Sequence, residues 1–183
     1  MKSLRKLLSS IATLLMFGGM AACSSSPTKS PDVTDNIRKS LDQAGLKDVS
    51  VSQDRDRGVV TLTGTTLSDP DKVEAESIAK SYAGSQVVSD QIAVRPPGDE
   101  SMAKKVDSDL DKGIEKNFHA VLVQHKLDSS VKYDVKNAVI TLNGKVNSQT
   151  KRAWVEKLAT GVPNVKQVVN ELEVKGQKAT SSD

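Results

Sequence analysis

Val59-Val60-Thr61-Leu62-Thr63-Gly64 and, 80 residues further on, Val139-Ile140-Thr141-Leu142-Asn143-Gly144 carry one pattern twice. Each is a run of β-branched and aliphatic residues closed by a glycine. That reads as a strand ending where the missing side chain permits a positive φ or a close approach. Working outward, adding 80 to the residue number superposes the two halves from Asp48 to Val94 without a gap. Asp48 falls on Asp128, Ser50 on Ser130, Val51 on Val131 and Asp54 on Asp134. Beyond the glycine, Ala79 falls on Ala159, Val88 on Val168 and Val94 on Val174. Chance does not hold register that long, so the chain contains a duplicated module.

Within each copy the periods agree. Residues 36–44 place Ile37, Leu41 and Ala44 on one helical face, and the second copy has a longer stripe of Val106, Leu110, Ile114, Phe118 and Leu122. Residues 49–53 and 59–63 flank the turn-like Asp54-Arg55-Asp56-Arg57-Gly58, which predicts a hairpin. Residues 131–134 and 139–143 repeat it around Lys136-Asn137. Residues 71–83 and 149–160 read as helices, with Ala75, Ile78, Ala79 and Tyr82 on one inner stripe and Val155, Leu158, Ala159 and Val162 on the other. Final strands follow near residues 87–94 and 165–174. The order is α-β-β-α-β, and a right-handed crossover makes the last two strands parallel. The expected fold class is α+β, with two tandem αββαβ modules, each a small three-stranded mixed sheet covered by helices on one face. Such small cores are marginal alone, so the copies are expected to pack together or to lean on the second copy's long first helix.

The first 22 residues have a basic start in Lys2, Arg5 and Lys6 and an apolar run that is short for a membrane span, which reads as a secretory signal peptide. Met20-Ala21-Ala22-Cys23 resembles the lipobox of bacterial lipoproteins, so lipidation of Cys23 is expected, and this is the chain's only cysteine. In lipoproteins of this kind an aspartate after the cysteine retains the protein at the inner membrane. Ser24 stands there, so the resemblance implies an outer-membrane anchor facing the periplasm. Residues 23–32, rich in Ser and Pro, read as a flexible tether, and residues 176–183 as a disordered tail. The modules are bounded at 33–96 and 99–175.

The two glycine-closed strands, with the endings Val88-Ser89-Asp90-Gln91-Ile92-Ala93-Val94 and Val168-Val169-Asn170-Glu171-Leu172-Glu173-Val174, resemble the BON domain. Two in tandem behind a lipobox are similar to dual BON-domain periplasmic lipoproteins. The resemblance implies a non-enzymatic protein that binds phospholipid surfaces and supports outer-membrane integrity. It also implies a lipid contact on the first helix of the second module, here residues 101–126, where Met102, Lys104, Lys105 and Lys112 are the candidates.

Catalysis finds little to work with. His119 and His125 are six apart on a helix, not the four that would place two ligands on one face, so no metal or other cofactor is expected and both read as surface histidines. Asp90 and Asn170, which interrupt the last strand, read as side chains bonded to neighbouring backbone.

Three of the 26 basic residues lie in the first 22 positions, with no acid among them, so the remainder balances 23 against 23. That neutrality argues against nucleic-acid binding. Charge is instead divided: residues 32–95 carry a net −3 and residues 99–175 a net +2. Trp154, the only tryptophan, falls opposite Glu74 in the repeat, a solvent-facing position, with Lys151, Lys157 and Arg152 around it. An aromatic ring among cations suits a membrane interface rich in anionic phospholipid. Equally, a large ring can fold back over a module edge. Two rivals to the lipid reading are an adaptor whose bare sheet faces or edges dock an envelope protein, and a periplasmic stress chaperone.

Overall fold

The structure is a computed structural model that describes residues 29–98 and 100–174. The signal segment, Cys23, the first part of the tether and the tail lie outside the described residues. Module 1 runs α1 (Thr34–Gln43), β1 (Val49–Asp54), β2 (Val59–Thr66), α2 (Asp69–Ala83), β3 (Val87–Asp90) and β4 (Ala93–Val94). Module 2 repeats it as α3 (Glu100–Gln124), β5 (Val131–Lys136), β6 (Val139–Val146), α4 (Gln149–Thr160), β7 (Gln167–Asn170) and β8 (Glu173–Val174).

In each module the glycine-closed strand is central. β2 pairs antiparallel with β1 and parallel with β3 and β4, and β6 does the same with β5, β7 and β8. The last strand is one strand interrupted. The Asp90 carboxylate accepts from the Ile92 N–H and the Asn170 amide oxygen from the Leu172 N–H, turning the chain for two residues before pairing resumes in the same register. This is the backbone role expected of Asp90 and Asn170. Both α2 and α4 start on a serine whose hydroxyl accepts a backbone N–H, Ser68 from Asp71 and Ser148 from Lys151.

Gly64 and Gly144 have φ of 109° and 123°. A Cβ there would lie 2.0 Å from the Asp48 carbonyl oxygen and 2.5 Å from that of Ser130. The glycines therefore let the start of the hairpin's first strand press onto the end of its second.

Those contacts correct the gapless repeat. Val49 pairs with Gly64 and Val131 with Gly144, so β1 and β5 are offset by 82 residues, not 80. Val51 matches Tyr133, not Val131. Module 1 has a hairpin loop two residues longer, and an extra residue before β5 and a one-residue shift in the helices offset it; Ile37 and Leu41 match Phe118 and Leu122. Two compensating shifts mimic an unbroken register because flanking residues recur by type.

Each core sits between helices and one sheet face. Ile37, Leu41, Ala75 and Ala79 meet Val60, Leu62 and Ile92 in module 1, and Ile114, Phe118, Leu122, Val155 and Ala159 meet Ile140, Leu142 and Leu172 in module 2. Three expected stripe members lie elsewhere. Tyr82 is 41% exposed, with its hydroxyl bonded to that of Ser40; Ala44 caps the end of α1 in solvent; and Val106 is exposed because α3 begins beyond the edge of its sheet. Residues 30–32, read as tether, are held: Ser30 exchanges hydrogen bonds with Arg55, and Gln53 donates to the Pro31 carbonyl.

The helix-free faces do pack together. Val59, Val139 and Val169 are fully buried between the sheets beside Val87. Gln167 of β7 reaches the free edge of β3, accepting from the Asp90 N–H at 2.9 Å and donating to the Val88 carbonyl at 2.8 Å. The tip of each hairpin meets the strand break of the other module: Arg57 donates to the Glu171 carboxylate at 3.1 Å, and the Asn137 amide donates to the Gln91 carbonyl at 2.7 Å. These reciprocal contacts have the form of a twofold interface. They cover the helix-free faces around Val59, Val139 and Val169, while Ser50 and Ser52 of β1 and Lys132 and Asp134 of β5 stay exposed.

Candidate functional site

The first turns of α3 project past module 2. The stripe Met102, Val106, Leu110, Ile114, Phe118, Leu122 steps by four, and its members become buried in turn: Met102 is 68% and Val106 61% exposed, Leu110 is half-buried and the last three are fully buried. Lys104, Lys105 and Lys112 are exposed on the same segment. Its position is set at two points. Arg95 lies 3.8 Å from Asp107, and the two oxygens of Asp111 accept from the Asn137 and Ala138 N–H groups at 2.9 and 2.8 Å. The result is an amphipathic, cation-flanked segment whose apolar side is left exposed among the described residues. Such a surface suits the boundary of headgroups and acyl chains.

The second candidate set divides. Trp154 is half-buried against the module 2 core, meets the His125 ring edge-on at 5.0 Å, and has the Lys151 ammonium 4.3 Å from its ring centroid. The ring has thus folded back over the module edge while keeping part of its surface in solvent. Lys157 is exposed one turn away. Arg152 is not part of any surface patch: it is 6% exposed and donates to the Asn170 carbonyl at 2.7 Å. Burial depresses its pKa, and Glu156 nearby opposes that. The available signal was its spacing with Val155 and Ala159, which puts all three on the buried stripe. Lys72, its counterpart in the repeat, likewise donates to the Ile92 carbonyl at 2.7 Å and lies 3.5 Å from Asp90. Both are cations tying the second helix to the strand break.

His119 is exposed as expected. His125 instead packs on Trp154, which a spacing argument along one helix could not show. Among the described residues no group of three or more metal-ligating side chains converges. Sequence reasoning missed Leu67 and Val73, both 63% exposed on or beside α2. Val73 lies off the Ala75–Ala79 stripe, and that offset was the signal.

A family model described as BON domain matches residues 30–96 and 110–176. The osmotically-inducible protein Y of Escherichia coli (strain K12) is 30% identical over 146 residues, covering 78% of this chain and 71% of that protein. An uncharacterised protein in the gshII 5' region of Anaplasma centrale is 31% identical over 144 residues, covering 78% of this chain and 92% of that one. Two solved structures of CdsD, a structural protein of the type III secretion system of Chlamydia trachomatis, align at 14% identity. They cover 80% and 78% of this chain and 99% and 91% of those chains, with TM-scores of 0.32 and 0.33. Scores that low bear on nothing further here.

Proposed function

The chain belongs to the BON domain family, with two domains in tandem, and from that premise we propose that it is a non-enzymatic protein of the bacterial envelope that binds anionic phospholipid. The observation that carries the reading is the overhang of α3, where Met102 and Val106 stand exposed on either side of Lys104 and Lys105. Apolar side chains enter the boundary of the bilayer while the lysines meet phosphates, each contributing about 1 kcal/mol near an anionic surface. One such segment is weak, and an acyl chain on Cys23 supplies the second attachment that stable residence needs. The relation to an osmotically inducible protein favours service in the periplasm under osmotic stress, and the residues around Cys23 favour anchoring at the outer membrane.

The test is flotation of residues 24–183 with phosphatidylglycerol vesicles. Binding at low salt that falls with added salt, and that Met102→Glu with Val106→Glu abolishes, is expected. Absence of binding at low salt overturns the proposal. Tryptophan emission read in the same tubes assigns the contact: binding without a blue shift leaves it on α3, whereas a shift moves it to Trp154. Mass spectrometry of the protein from membranes tests the anchor separately, through an acyl mass on Cys23 that Cys23→Ala removes.

A further inference from the structure

α2 and α4 are the same helix of the two modules, each on the outer side of its own sheet, and their solvent faces have opposite chemistry. Along α2, Asp69, Pro70, Val73, Glu74, Ser77 and Ile78 line an apolar groove with carboxylates at its rim. Val73 stands exposed within it, and Leu67 stands exposed just before the helix. In the repeat, the matching positions of α4 carry Lys151 for Asp71, Trp154 for Glu74 and Lys157 for Ser77. One face is aliphatic and acidic, the other aromatic and basic.

We propose that the α4 face of one copy docks on the α2 groove of a second copy of this chain. The solvent-exposed part of the Trp154 ring, which carries the Lys151 ammonium over it, covers Val73, and Lys151 and Lys157 meet Glu74 and Asp69. Charge selects this occupant, since residues 32–95 carry −3 and residues 99–175 carry +2, so the groove of one copy attracts the second module of the next. The contact is heterologous: each copy offers one face of each kind, on different modules. Its use leaves the other face open, so copies add head to tail instead of closing as a twofold pair. The overhang of α3 takes no part, so the proposal is independent of a lipid contact on α3.

Sedimentation of residues 24–183, from micromolar to submillimolar concentration, tests it. The expected result is a mass that rises with concentration and falls with salt. Val73→Glu and Lys157→Glu change exposed side chains and leave the helical spectrum intact, and each alone weakens association about tenfold or more. Mixed in equal amounts, these two variants retain one good groove and one good α4 face between them. They form a one-to-one pair that grows no further. A chain that stays monomeric, association indifferent to salt, or a mixture that fails to stop at the pair overturns the proposal.

Discussion

In module 1 the hairpin turns through residues 55–58, and the Asp54 carboxylate beside the turn accepts from the Asp56 and Arg57 N–H groups. In module 2 it turns through Asn137 and Ala138, both at positive φ, and the carboxylate that accepts their N–H groups comes from Asp111 on α3. One requirement, an acceptor for the turn's free N–H groups, is met locally in one copy and by a distant helix in the other. The distant solution does more, because it fixes the long helix to the hairpin and so sets the overhang of α3. The same contrast recurs on the last strand, where Lys72 and Asp90 form an ionic version of the contact that Arg152 makes with the Asn170 carbonyl.

Copying residues between the modules breaks or sharpens this equivalence. The largest effect belongs to the glycines that both copies keep. Gly64→Ala should cost about 4 kcal/mol, and Gly144→Ala about 3 kcal/mol because its carbonyl neighbour is less close. Urea unfolding reads both, and a tolerated alanine at either position would show that the strand ends can part.

Next comes Val169→Ser, which copies Ser89 into the centre of the sheet contact. It removes apolar surface buried between the modules and should cost about 2 kcal/mol, seen as a lower urea midpoint. Unchanged stability would mean that the modules do not need each other.

Asp90→Asn copies module 2 into module 1 and tests the ionic version. Burial holds the Asp90 carboxyl above its ordinary range, opposed by the Ile92 N–H and by Lys72. The folded chain then binds that proton more tightly than the unfolded chain does. Stability therefore falls as pH rises from the ordinary carboxylate pKa through the raised one, and the substitution should remove this share of the slope. Glu171, raised by burial against the pull of Arg57, adds a slope of the same sign that the variant retains. Urea midpoints followed across mildly acidic pH provide the check, and identical profiles would reject Asp90 as the source.

The smallest effect is Ala138→Gly, which copies Gly58 and relieves a φ of 65°. A gain of about 0.5 kcal/mol in thermal unfolding is expected, since the buried methyl is lost as the strain is released.

Much of this was legible in the residues. Val59 to Gly64 and its repeat announced the central strand because burial on both faces demands β-branched residues without interruption. The stripe of Ile114, Phe118 and Leu122 announced its helix for the matching reason of period. Arg152 was misread because a cation's residue type signals solvent, and only the carbonyl freed by the strand break gives it a place inside. Val106 continued a correct stripe past the point where the sheet beneath it ends, whereas Tyr82 falls one residue beside the buried line of Ala75, Ala79 and Ala83.

By itself the sequence determined that this chain is a duplication of one αββαβ unit, because periodicity and glycine placement act through neighbours a few residues away. It also separated an acidic first copy from a basic second one. Only the tertiary structure decided that the bare sheet faces close on each other, that Gln167 seals the edge of β3, and that Trp154 leans on His125. Those contacts join residues 29 to 114 positions apart, and their energy depends on shapes that exist only after both sheets have formed.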